Sequence, residues 1–252
     1  MEELIARAAG IISRAQKICV LTGAGISAES GLSTFRDEDG LWNNYPVEDV
    51  ATPEGFARDP QMVWKFYYHL RLKARAAKPN PAHKALAYLE KNPTIDGRKR
   101  TVTVLTQNVD GLHGRAGSGK VIELHGSLWR VRCLGCVHFE EDEKILLSET
   151  LPKCPDCGNF YRPDIVWFGE QLSYSALSAA EEAVRGCEVF ITIGTAAQVF
   201  PAAGLTYMAV DCGKAVLEVN LEKTPASKLA FISLQGKAGE ILPKIAGMKG
   251  SL

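Results

Sequence analysis

Five short apolar runs, rich in β-branched residues, each end in glycine or in a polar amide, hydroxyl or imidazole. They are "KICVLTGAG" (17–25), "TVTVLTQN" (101–108), "VIELHG" (121–126), "CEVFITIGT" (187–195) and "AVLEVN" (215–220). Apolar residues at helical spacing lie between several of them, at 80–91, 173–185 and 237–246. Strands alternating with helices predict an α/β fold with a doubly wound parallel sheet. Ligands bind such sheets at the carboxyl ends of the strands. The polar strand ends "TGAG", "TQNVD", "LHG", "IGTA" and "VN" therefore mark the expected functional edge.

Two segments break this rhythm. Residues 41–80 carry no strand pattern and contain "WKFYYHLRLKARAAKPN" (64–80), a helix of about four turns ended by Pro79. Residues 129–162 hold four of the seven cysteines and the acidic stretch "EEDEK". A chain of 252 residues accommodates one large domain with such inserts. Lys plus Arg is 29 and Asp plus Glu is 29, so global charge gives no argument for a nucleic-acid partner. No apolar run reaches the roughly 18 residues of a membrane span. The N-terminal "MEELIARAAGIISRAQ" is an amphipathic helix pattern, not a secretion signal. Cys19, Cys187 and Cys212 stand singly in apolar surroundings, which fits a reducing compartment, and a cytoplasmic location is expected.

Cys133-x-x-Cys136 and Cys154-x-x-Cys157 have the spacing of a four-cysteine metal site. Zinc takes four thiolates as a tetrahedron, and a closed all-sulfur shell leaves no position for substrate, so the expected role is structural. "GAGISAESG" after the first strand satisfies the G-x-G-x-x-A dinucleotide pattern, whose glycines let backbone amides approach a pyrophosphate. The usual second strand with its acid about twenty residues on is missing. Asn220, at a later strand end, is the candidate ribose partner in its place. Of the five histidines, His125 sits at a strand end on the functional edge, and His113 in "DGLHGRAG" competes with it.

"GAGISAESGLSTFR", "TQNVDGLH", "ELHGSL", the two C-x-x-C pairs, "RPDIVWFGE", "IGTAAQVFPAAG", "EVN" and "QGKAG" occur in the order found in sirtuins, from about residue 16 to 246. The chain resembles that family, in its bacterial and archaeal class III type. The resemblance implies an NAD-dependent protein-lysine deacylase acting on acylated lysine in proteins or peptides, with no membrane and no direct nucleic-acid partner. It implies a Rossmann-like NAD-binding domain from 1–40, 81–127 and 163–252. A helical module (41–80) and a zinc ribbon (128–162) form the small domain. Gly23, Ala24, Gly25, Ser27 and Glu29 would lie along the NAD loop, with Phe35 and Arg36 on its flexible part. Gln107, Asn108 and Asp110 would line the nicotinamide side, and Gly194, Thr195, Ala196, Asn220, Leu221 and Ala238 the ribose and adenine. His125 would be the general base, with Asn108 and Asp110 beside it as catalytic residues. Nicotinamide leaves, the acyl oxygen attacks the ribose carbon, and His125 then takes a proton from a ribose hydroxyl. The products are free lysine, nicotinamide and O-acyl-ADP-ribose. Val166, Phe168, Gly169 and Glu170, within "VWFGE", would pair as a strand with the substrate peptide. Two positions depart from the family: Ala196 where Ser is usual, and Asp37 where Gly is common.

One class of sirtuin reads acidic acyl groups with a Tyr-x-x-Arg pair at the end of the acyl tunnel. Ala51 matches a position that leaves room for longer acyl groups. An ungapped register from Trp64 and Phe66, or back from Pro79, puts the pair on Tyr67 and Leu70. The alternative frame, Tyr68 and Arg71, requires the helix to rotate by about 100°. The first register predicts removal of acetyl and longer neutral acyl groups, and the second desuccinylation or demalonylation. In the first, Arg71 is a solvated or domain-packing residue. Two other readings remain: an NAD-dependent protein ADP-ribosyltransferase on the same fold, and a non-enzymatic zinc-ribbon sensor of NAD or peptide.

Overall fold

The computed structural model describes residues 1–32, 45–143 and 150–248. Phe35, Arg36 and Asp37 lie outside the described residues. The chain runs α1 (Glu2–Arg14), β1 (Lys17–Thr22), α2 (Gly25–Ala28), α3 (Val47–Val50), α4 (Pro53–Arg58), α5 (Pro60–Ala76), α6 (Pro81–Lys91), β2 (Thr101–Thr106), α7 (Leu112–Ala116), β3 (Lys120–Glu123), β4 (Gly126–Cys133), β5 (Phe139–Glu141), β6 (Tyr161–Ile165), α8 (Tyr174–Gly186), β7 (Val189–Ile193), α9 (Gly204–Asp211), β8 (Ala215–Asn220), β9 (Ile232–Gln235) and α10 (Ala238–Ile245).

Six strands form one parallel sheet in the order β3-β2-β1-β7-β8-β9. From β1 the chain builds outward through β2 and β3. From β7 it builds the other way, so the order reverses between β1 and β7. Alternate side chains leave opposite faces of a strand, which gives the sheet two apolar faces. Ile18, Val20, Val104, Ile191 and Ile193 pack with Ala8 and Ile12 of α1, Leu86 and Leu89 of α6, and Ile241 and Leu242 of α10. Cys19, Leu21, Leu105 and Phe190 pack on the other face with Ala180 and Val184 of α8 and Leu205 and Ala209 of α9. Helix ends leave carbonyls unpaired. The buried Arg100 guanidinium takes up several, donating to Ile12, Ser13 and Ala15 at the end of α1 and to Leu89 and Asn92 at the end of α6.

A second, antiparallel sheet has the order β5-β4-β6 and carries α3, α4 and α5 against it through a separate apolar cluster. Pro60 opens α5 and the Asp59 carboxylate accepts from Met62 N at 2.9 Å, a capped start that the aromatic run 64–68 alone does not reveal. Arg71 is fully buried on this helix. Its Nε donates to Leu128 O at 2.6 Å, its Nη1 pairs with Asp142 at 2.8 Å, and its Cζ lies 5.7 Å from both the Trp64 and Tyr68 ring centres. Of its two expected settings, solvated or packed, the structure shows the packed one.

Three expectations are corrected. The run 121–126 is two strands: β3 stops at Glu123, Leu124 and His125 form a turn, and β4 starts at Gly126. Gly126 has φ +81, and a Cβ there would sit 2.0 Å from Asp164 O, so the close pairing of β4 with β6 breaks the run. Residues 166–170 are not a strand. Glu170 N donates back to Trp167 O at 3.0 Å, Gly169 has φ +86, and a turn follows β6. The edge strand β9 and helix α9 have no counterpart in the pattern. The four residues of β9 alternate buried and half-buried or exposed, which is too short a signal to separate from loop. The three-stranded sheet itself runs from Gly126 to Ile165, a little beyond the insert read as 128–162.

Candidate active site

The turns after β1 and β7 lie against each other where the strand order reverses. Gly23 N donates to Ile193 O at 3.0 Å and Gly25 N to Gly194 O at 2.8 Å. A Cβ on Gly194, which has φ +57, would fall 2.4 Å from Ile26 N, and one on Gly25 2.8 Å from Gly194 Cα. Only glycine permits this approach, and bare backbone is what a pyrophosphate needs. Hydrogen bonds extend the junction to neighbouring turns. Gln107 Nε2 donates to Thr195 Oγ1 at 3.0 Å, and Asn220 Nδ2 to Thr195 O at 2.9 Å. Asn108 Nδ2 donates to Gly23 O at 3.1 Å and Ser27 Oγ at 3.2 Å. Ser27 Oγ donates to Asp110 Oδ2 at 2.7 Å. Residues read from four separate stretches of sequence are thus one network.

His125 stands at its edge. Nδ1 lies 3.1 Å from Gln107 O. A carbonyl oxygen only accepts, so Nδ1 carries the proton and the neutral ring keeps its lone pair on Nε2. Burial lowers the pKa of the imidazole, and the Gln107 carbonyl opposes that in part. A base neutral at physiological pH with a free Nε2 is suited to take a proton from a hydroxyl. His113 is placed otherwise. It is buried, its Nε2 lies 3.0 Å from Thr22 Oγ1, and Thr22 in turn donates to Thr106 Oγ1 at 2.9 Å. The His113 ring packs against that of His83 at 4.8 Å with a tilt of 57°, and His83 faces Ser27.

Several candidates are already committed within the chain. Both Asp110 oxygens are used, Oδ1 by Leu112 N at 2.8 Å and Oδ2 by Ser27, and burial raises the pKa of this carboxyl. Glu29 Oε1 accepts from Gly239 N at 2.8 Å, in the first turn of α10 beside Ala238. Leu221 is exposed, with its N bonded to Asn220 Oδ1. Ala24 and Ala196 are half-buried on the glycine turns. The residue types alone did not single out Thr22, Asn80, His83, Thr106 or Thr195 as a network. Asn80 caps α6, and its Nδ2 donates to Ile26 O at 2.7 Å, fixing the β1 turn from below. An Asn before Pro and a His three residues on was the available signal.

The substrate candidates gather elsewhere. Ala51, Tyr67 and Trp167 share one apolar cluster, with Leu70 packed on it. Trp167 Nε1 donates to Tyr67 Oη at 2.8 Å, and burial raises the pKa of that phenol. Phe168 N donates to Ala51 O at 2.9 Å, and Val166 N to His125 O at 3.0 Å. Glu170 is held by Arg162 at 2.6 Å and Arg132 at 3.1 Å, and accepts from Trp167 N at 2.8 Å. The Sγ atoms of Cys133, Cys136, Cys154 and Cys157 all lie within 4.8 Å of one another, with Cys133–Cys157 at 3.4 Å and Cys136–Cys154 at 3.7 Å. With Zn–S bonds of about 2.3 Å, this cage fits one zinc ion.

A model of the Sir2 family matches residues 23–201. The chain belongs to the Sir2 family. It is 48% identical over 240 residues to an NAD-dependent protein deacylase of Pyrococcus furiosus, covering 93% of this chain and 94% of that protein. It is 48% identical over 229 residues to one of Aquifex aeolicus, covering 90% and 93%. The structure of a Sir2 homologue with NAD superposes with a TM-score of 0.88 at 44% identity, over 98% of this chain and 93% of that one. A Sir2 enzyme bound to a myristoylated histone peptide superposes with a TM-score of 0.76 at 37% identity, over 98% and 96%. The likeness runs over nearly the whole chain and therefore takes in the parallel sheet and the four-cysteine insert described above.

Two measurements follow. Burial holds the His83 imidazole down to about 4, and burial with His83 alongside holds His113 down to about 3. Below the ordinary imidazole value of 6.5 the unfolded chain binds protons that the folded chain refuses, so stability is lost as pH falls. The window runs from 6.5 to about 4 for His83 and to about 3 for His113, at up to about 1.4 kcal/mol per pH unit for each. Urea unfolding at successive pH values should show this slope, and His113→Gln should flatten it. An unchanged slope in that variant contradicts the assignment. Metal analysis should find one zinc per chain, and chelation or Cys157→Ser should lower the melting temperature. Purified protein that is folded and stable without metal contradicts the structural role.

Proposed function

We propose that this chain is an NAD-dependent protein-lysine deacylase that removes acetyl and longer neutral acyl groups. The observation that carries the reading is His125. Its Nδ1 is fixed by Gln107 O, its Nε2 is open, and Gln107 ties it to the glycine junction through Thr195. The names of the relatives support the same reading. NAD, when bound, supplies the ribose carbon that receives the acyl oxygen and the hydroxyl that is then deprotonated. Gly23, Gly25 and Gly194 offer backbone to its pyrophosphate. Asn108 and Ser27 hold that backbone in place, Asp110 holds Ser27, and Asn220 and Leu221 frame the ribose side. Glu29 acts by fixing the start of α10. Phe35 and Arg36 complete the loop in this reading. We read the body of the chain as 1–40, 81–127 and 163–252, with 41–80 and 128–162 as the small domain.

The peptide is assigned to the turn after β6. The N–H groups of Val166, Trp167, Phe168 and Glu170 are bonded within the chain, and Trp167 O accepts from Glu170 N, so the carbonyls of Val166 and Phe168 and the backbone of Gly169 are offered to a substrate. Glu170 is the brace of that turn. The exposed Phe168 ring is available to the acyl-lysine stem. Among the described residues no helix is long and apolar enough to cross a membrane. None of the cysteines is joined in a disulfide, which fits the cytoplasm.

The acyl preference rests on the arginines. Leu70, packed on the cluster of Ala51 and Tyr67, brings no charge. Arg71 is turned away and bound to Asp142 and Leu128 O. Arg162, stacked 3.3 Å from the Trp167 ring centre, is forked to Glu170. Among the described residues, an acidic acyl group would find these guanidinium groups already paired, at a cost of about 2 kcal/mol relative to a dedicated Arg. Peptides carrying acetyl, medium-chain and succinyl groups should show kcat/KM for succinyl about thirtyfold below acetyl. Leu70→Arg should narrow that gap, and His125→Tyr should abolish turnover on every peptide. Equal desuccinylation and deacetylation by the wild type would contradict the acyl assignment. Nicotinamide release without acyl peptide, with ADP-ribose appearing on protein, would favour transferase activity instead.

A further inference from the structure

His125 lies in a two-residue turn between the two sheets, tied to the six-stranded sheet by Leu124 N, which donates to Thr106 O at 2.9 Å, and by its own Nδ1 on Gln107 O. β3 ends at Glu123 on the edge of the six-stranded sheet, and β4 begins the three-stranded sheet at Gly126. Gly126 has φ +81. A glycine in that region is conformationally permissive, so the angle between the sheets is set by bonds made across the turn. The His125 carbonyl accepts from Val166 N at 3.0 Å, and Leu128 N and Trp129 Nε1 bond the carbonyls of Val109 and Asp110 at 3.0 Å. The charged bond is made by Arg130. Its Nη1 pairs with Glu123 Oε2 at 2.8 Å, two residues before His125, and its Nε donates to Asp164 Oδ2 at 2.9 Å, on β6.

One guanidinium therefore joins the last residue of β3 to both β4 and β6, and the turn it closes over carries the base. The three side chains are 27%, 23% and 25% exposed, so water screens them less than a surface pair. Glu141 faces Arg130 across β4 and β5 and adds a third carboxylate, whose charge reaches Glu123. Without the cation, the three acids would repel at the point where the two sheets join.

We propose that Arg130 is a positioning residue for His125, holding the imidazole at its working place by tying Glu123 to Asp164 across the Gly126 pivot. This rests on the reading of His125 as the base. Arg130 does not touch the nicotinamide side, where Gln107, Asn108 and Ser27 are fixed by their own network. Loss of Arg130 is thus expected to harm the step that uses His125 and to spare the earlier loss of nicotinamide.

Two rates separate these steps: exchange of labelled nicotinamide into NAD in the presence of acyl peptide, and overall release of free lysine. In Arg130→Met, lysine release should fall about tenfold, with exchange and the KM for NAD within about twofold of wild type. Arg130→Lys should recover part of the loss. Glu123→Gln, which leaves Arg130 on Asp164, should reproduce the defect, and the double variant should fall no further than Arg130→Met alone. Glu123→Gln also stands in if Arg130→Met does not fold, as judged by thermal unfolding. Equal loss of exchange and release, a raised KM with unchanged kcat, or full activity would each overturn the proposal. His125→Ala is measured alongside. Normal lysine release in that variant would overturn the base assignment itself, a failure that Arg130→Met cannot produce.

Discussion

The active-site edge depends on two stretches of backbone lying in contact. The turn after β1 and the turn after β7 meet through Gly25 N and Gly194 O at 2.8 Å, at the point where the strand order reverses. A side chain on either glycine would occupy the other's backbone. Every other element of the site is referred to this junction. Thr195 follows it and receives Gln107 and bonds Asn220, while Asn108 and Ser27 hold its near side. Gln107 then sets the tautomer of His125. A change at the junction would therefore reach the base through two hydrogen bonds, without any direct contact.

The small domain is stabilised on different terms. Its three short strands pack with α3, α4 and α5 around a separate apolar cluster, and a metal cage, buried charge and aromatic contacts add to it. Arg71 illustrates the cost of that arrangement. A guanidinium with no exposed surface is stable only with its bonds to Asp142 and Leu128 O and the faces of Trp64 and Tyr68. The same commitment removes it from substrate reading. Arg162 and Arg132 are committed likewise, to Glu170. The proposed selection against an acidic acyl group rests on these commitments.

Much of this was legible in the residues. Polar strand ends located the functional edge because a parallel sheet leaves ligands one place to bind. The C-x-x-C spacing identified the cage because zinc geometry tolerates few alternatives. The competition between His113 and His125 could not be decided by spacing. Burial separates the two: His113 lies inside the Thr22 and His83 contacts, whereas His125 is half-buried at the strand end. The strand expected at 166–170 failed because Glu170 folds back onto Trp167 N, and its partners, Arg132 and Arg162, lie 38 and 8 residues away. β9 was missed because four alternating residues carry almost no periodic signal.

The central claim is that this site transfers an acyl group to the ribose that nicotinamide leaves. Mass spectrometry of the products from an acetyl-lysine peptide and NAD tests it most directly. The account predicts O-acetyl-ADP-ribose in equal amount to free lysine and to nicotinamide. Release of free acetate from the peptide without consumption of NAD would contradict it.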